Sequence, residues 1–154
     1  MILALALWAW ATELAIHDRK CPVDSTAVRT FEKLATNRAG GWDSDLATYS
    51  TEGQWRQYAV ATCPHDLLSL YGEDFDLPWT AAQLAGIQSA IAPVKARLPP
   101  AEDLETWDRY ELAVAAYRSL GRDHRFIAEL LLTATWTARD AAVDVYAGLQ
   151  GPQG

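Results

Sequence analysis

The residues best equipped for chemistry lie in two matched tetrapeptides, Cys21-Pro22-Val23-Asp24 and Cys63-Pro64-His65-Asp66. They start 42 positions apart and contain both cysteines of the chain. Thiolate, imidazole and carboxylate are all metal ligands, and two thiols can also oxidise to a disulfide. A pair of Cys-Pro-x-Cys turns would read as a zinc ribbon, but here aspartate stands where each second cysteine would be. A structural zinc site takes four ligands, mostly Cys and His. The candidates are Cys21, Asp24, Cys63 and either His65 or Asp66, with His17 four residues ahead of Cys21. Carboxylates are harder ligands and less common in such sites. The motifs therefore point to how the N-terminal half is held together, by a disulfide, by zinc or by neither, and not to a reaction. The aspartates also have a local reading. Asx side chains close tight turns by accepting nearby backbone N–H groups, and Asp66 could cap a short helix over Asp66–Gly72.

Other chemistry-bearing groups read as structural. Asp43-x-Asp45 follows Gly40-Gly41 and fits a polar turn better than a cation-binding dyad. Each histidine adjoins an aspartate (His17-Asp18, His65-Asp66, Asp123-His124), as in metal phosphohydrolases, but His17 and His65 fall on expected strands or turns. A catalytic cysteine needs an activating base, and on a continuing strand Cys63 and His65 would diverge. Trp107, Tyr110, Tyr117 and Trp136 recur at helical spacing, which places them in a core between facing helices rather than in a ligand groove.

The elements that must position these groups follow from composition and pattern. The chain has 154 residues, half of them hydrophobic, with seven tryptophans, enough for one well-packed domain. Its net charge of −7 excludes nucleic acid and anionic membrane as main partners, since both require clustered Lys and Arg. Ile2–Ala11 is uncharged and apolar, and Ala9-Trp10-Ala11 resembles a signal-peptidase site. Residues 1–11 are expected to be a signal peptide; a buried N-terminal element and an uncleaved anchor are the alternatives. Removal would leave no transmembrane segment and place residues 12–154 in the periplasm or cell envelope, where disulfides persist. Closing a loop between Cys21 and Cys63 would then contribute roughly 4 kcal/mol.

The mature chain divides near residue 78. Residues 12–78 carry strand and turn signals: Thr26–Leu34, anchored by Val28 and Phe31, and the alternating Trp55–Thr62, which runs into Cys63. Residues 79–150 read as helices. Thr80 with Gln83 matches a capping box that opens a helix to about Leu98, with Pro93 as a kink or break. A second helix is expected over about Ala101–Leu120, with Gly121 after it, and a third over about His124–Leu149, capped by Asp123 and apolar on most sides. The fold class is α+β: a small knuckle or ribbon-like β unit packed on a helical hairpin-type bundle.

The order of knuckle, D-x-D turn, strand, second knuckle and paired helices resembles the bacterial family called domain of unknown function 2225. The stretches that carry the likeness are Lys20–Asp24, Trp42–Ser50, Tyr58–Asp66 and Leu130–Asp140. The resemblance implies a zinc-ribbon-like unit ahead of tetratricopeptide-like helices, and no activity. This chain keeps Cys21 and Cys63 and has Asp24 and Asp66 where the family's knuckles have cysteine. Oxidation of Cys21 and Cys63 would do the work of the metal. The expected function is a non-catalytic binding or scaffolding module of the cell envelope, without a cofactor, that engages a protein or peptide through its helical face. A zinc protein or metal-dependent enzyme using Cys21, Asp24, Cys63, His65 and Asp66 is the alternative.

Overall fold

The computed structural model of the chain describes residues 12–150, with side chains described through residue 142. The expected signal segment lies outside the described residues. Among the described residues the fold is α+β, with antiparallel two-stranded sheets and three α-helices. β1 (Glu13–Lys20) pairs with β2 (Ala27–Ala35), and the register runs to Lys20 opposite Ala27. The first knuckle is therefore the loop of this hairpin. β3 (Gly41–Trp42) and β4 (Thr48–Tyr49) flank the Asp43–Asp45 turn. β5 (Val60–Thr62) pairs with β6 (Ser69–Tyr71), with Thr62 opposite Ser69. The second knuckle is thus also a hairpin loop.

Three local expectations need correction. No strand was expected over Glu13–Lys20, where Ile16 is 60% exposed. Trp55–Thr62 is not one strand. Trp55–Gln57 forms a 3₁₀ turn, in which Tyr58 N–H donates to Trp55 C=O, and only Val60–Thr62 is extended. Asp66–Gly72 is not a helix. The Leu68 N–H is taken by the Asp66 side chain at 2.8 Å, Leu67 adopts φ 61°, and the chain turns back as β6. Short apolar runs such as LLSLY fit helix and strand equally by pattern, and the turn decides.

The helical half follows its punctuation closely. Thr80 and Gln83 form the expected reciprocal cap of α1 (Ala81–Lys95). Pro93 falls in its last turn, and the chain tightens through i+3 bonds from Arg97 and Leu98 N–H. A 3₁₀ turn at Ala101–Asp103 precedes α2 (Thr106–Ser119), so α2 starts later than expected; Asp108 accepts the Glu105 N–H at its entrance. Gly121, at φ 72°, provides the left-handed exit that a side chain would strain. Asp123 Oδ1 then accepts the Phe126 N–H at 2.8 Å to start α3 (His124–Gln150).

One contiguous core joins the two halves. Val28, Val60, Leu68 and Leu70 from the hairpins pack with Ile87 and Ile91 of α1, Leu112 and Tyr117 of α2, and Ile127 and Leu130 of α3. Cys21 and Cys63 belong to the same cluster. Phe31 turns to the other face of β2, where it meets the Tyr58 ring at 5.2 Å between centroids. α3 is not covered on all sides, since Leu131 and Leu132 are each 42% exposed. Trp107 and Trp136 are half-buried rather than core residues.

Candidate functional site

The two knuckles have nearly the same backbone. Cys21 N–H donates to Thr26 C=O and Cys63 N–H to Leu68 C=O, both at 2.8 Å. Ser25 N–H returns to Cys21 C=O and Leu67 N–H to Cys63 C=O, and Ser25 and Leu67 share φ near 60°. Asp24 Oδ1 accepts the Thr26 N–H and Asp66 Oδ1 the Leu68 N–H. Each aspartate closes its loop as an Asx turn, the local role read from the sequence. The Thr26 hydroxyl and N–H, ahead of His65, hold the Asp24 carboxyl below the ordinary aspartate value.

The hairpins meet at their loops. Cys21 and Cys63 lie at disulfide distance, with sulfurs 2.17 Å and Cα atoms 5.7 Å apart, and both are buried. Asp66 Oδ2 sits 3.2 Å from Cys21 Sγ, so Cys21, Cys63 and Asp66 converge on one point. Asp24 and His65 do not join them; they pair with each other at 3.0 Å on an exposed surface. His17 is further removed and pairs with Glu32 across the first hairpin. The four-ligand zinc set anticipated from spacing is thus split in two. Asp66 Oδ1 also accepts from Gln88 at 3.3 Å.

A second constellation went unseen in the sequence. Arg56 and Asp140, 84 positions apart, form a buried two-pronged ion pair, with Nε and Nη2 donating to the carboxylate at 2.6 and 2.8 Å. Nη1 donates to Thr48 C=O at 2.8 Å, the third of the five guanidinium N–H groups to be engaged. The guanidinium lies 4.9 Å from the Tyr49 ring and 5.9 Å from that of Trp136. Tyr110, which burial pushes well above an ordinary phenol, donates its hydroxyl to Arg56 C=O. The sequence signal that could have found the pair is a lone Arg inside an apolar strand-like run and an Asp late in an apolar helix, since buried charges require partners.

Beside this pair, the Asp43–Asp45 turn is clamped to α3. Arg139 Nη1 reaches both carboxylates at 3.0 and 2.9 Å, and the Trp136 indole N–H donates to Asp45 Oδ2 at 2.8 Å. Trp136 therefore faces the β3–β4 turn and not α2. Burial alone would raise the Asp45 carboxyl; the Ala47 N–H, Arg139 and Trp136 outweigh it and lower it.

Above Arg56 opens a pocket of about 270 Å³, walled by Trp55, Tyr71, Tyr110 and Trp136. No helix among the described residues is long and apolar enough to cross a membrane. No family model, no curated protein and no solved structure matches the chain.

Proposed function

We propose that this chain is a non-catalytic binding or scaffolding module, exported to the cell envelope and locked by a Cys21–Cys63 disulfide. The observation that carries the reading is the fate of its reactive groups. Both cysteines, Asp24, Asp66, His65, Asp43, Asp45, Arg56 and Asp140 are engaged in closing turns or in joining one part of the fold to another. The four stretches that resemble domain of unknown function 2225 meet in two pairs: knuckle with knuckle, and the Trp42–Ser50 turn with the Leu130–Asp140 helix segment. A buried sulfur pair at bonding distance favours an oxidising compartment. A second reading, zinc held in a reduced state, has one observation in its favour, the convergence of Cys21, Cys63 and Asp66.

The test is expression of the full chain in an export-competent host. Intact mass of the periplasmic product should correspond to Thr12–Gly154 less two hydrogens. Full-length chain recovered only from the cytosol, with both thiols free, would overturn the export and disulfide parts together.

A further inference from the structure

We propose that the pocket between β2, the Trp55–Gln57 turn and α3 binds a small aromatic carboxylate. The proposal deepens the binding-module reading and rests on it. The pocket's charged lining is Lys33, Arg38 and Arg56, with no carboxylate, in a chain of net charge −7. That local excess of cations runs against the composition and marks an anion site.

The three cations are not equivalent. Arg56 is neutralised by Asp140 and fixed by Thr48 C=O, so it forms a rigid floor. Lys33 and Arg38 stand exposed at the rim, and neither is in an ion pair among the described residues. Lys33 Nζ sits 5.9 Å from the centre of the Trp55 ring, which brings an ammonium and an aromatic wall to the same corner. Tyr71 and Trp136 add partly exposed rings, Tyr110 lies fully buried behind them, and the rest of the lining is mostly polar, with Thr36, Thr48, Ser50, Gln54 and Thr133. Three partly exposed aromatic rings, a polar lining and two rim cations match a ligand with an aromatic body and one anionic, hydrogen-bonding end. The volume of about 270 Å³ is at the lower end for ligand pockets, room for one or two rings. An adjoining hollow shares Lys33, Trp55 and Tyr71 but is lined by Glu32 and Glu73. Their charges confine anion binding to the Lys33–Arg38 corner.

The experiment is an NMR titration of the disulfide-bonded chain with 2-naphthoate, following tryptophan indole N–H resonances, with Trp55→Phe to assign that of Trp55. The expected result is a saturable shift of the Trp55 and Trp136 indoles. Uncharged 2-naphthamide should bind at least about tenfold more weakly, the loss expected for one hydrogen bond to a charged group. Lys33→Gln/Arg38→Gln, both on exposed side chains, should weaken naphthoate by about the same factor and leave the rest of the spectrum in place. Equal binding of acid and amide, a shift unaffected by the double substitution, or no indole shift up to the solubility limit would each refute the proposal. Those outcomes in a chain that carries the disulfide fall on the pocket alone; free thiols with bound zinc fall on the module reading beneath it.

Discussion

Substituting either member of the Arg56–Asp140 pair should destabilise the fold more than any other single change at a charged residue. Both side chains are over nine-tenths buried, and the link joins the Trp55–Gln57 turn to α3. Removing one partner leaves the other charge buried and uncompensated, which costs about 3–5 kcal/mol. Arg56→Met should fall at the upper end, because it also strips the Thr48 carbonyl of its donor and the Tyr49 ring of its cation. Asp140→Leu should fall at the lower end. Arg56→Met/Asp140→Leu removes both charges and should cost well below the sum, since an apolar pair of similar volume is often neutral against a buried ion pair. The assay is urea unfolding followed by tryptophan fluorescence. With m of about 2 kcal/mol/M for a chain of this size, each single variant should lower the midpoint by roughly 1.5–2.5 M. Single variants that cost below about 1 kcal/mol, or strictly additive effects, would refute the reasoning. Either result would mean that the pair is hydrated in solution.

Further predictions follow from the same contacts. The Trp136 indole resonance should report Asp45 ionisation with a midpoint below the ordinary aspartate value of 3.8. A depressed carboxyl stabilises the fold above its unfolded pKa and loses that contribution as pH falls through the folded value, so the β3–β4 clamp should loosen only in strong acid. A midpoint at or above the ordinary value would mean that the clamp is absent. Burial first, and then the Asp74 hydrogen bond, push the Tyr117 phenol far above its ordinary value, and burial does the same to Tyr110. Their contribution is complete below the unfolded tyrosine pKa, about 10, and is lost as pH rises beyond it; ultraviolet titration should show both ionising only with unfolding. Gly40→Ala should destabilise by about 1–3 kcal/mol, because a Cβ there would lie 2.8 Å from Tyr49 Cβ and 2.9 Å from its carbonyl oxygen. A calorimetric midpoint equal to the parent's would show that the β3–β4 turn can shift aside.

What was legible in the sequence was whatever local chemistry decides. The Thr80–Gln83 box, Gly121 and Asp123 act within a turn of where they stand, and each did what its residue type dictates. The matched knuckles were legible for the same reason, down to the Asx role of both aspartates. β1 and β6 were not, because their form depends on a partner strand that the loops bring back. Arg56 shows the limit most clearly. A partner 84 positions away draws it inward and breaks the alternation that made Trp55–Thr62 look like one strand. The candidate ligands were divided for a related reason: spacing placed Asp24 and His65 near the cysteines but could not show that they face each other.

Whether the two knuckle hairpins are joined through sulfur is decided by counting thiols and metal on the same sample. Protein from the native compartment is denatured without reductant, alkylated and weighed, and its zinc is measured in parallel. No alkylated cysteine and no stoichiometric zinc are expected, with Cys21→Ser and Cys63→Ser each costing roughly 2–5 kcal/mol. Two alkylated cysteines accompanied by one equivalent of zinc would contradict that link and make Cys21, Cys63 and Asp66 the core of a metal site.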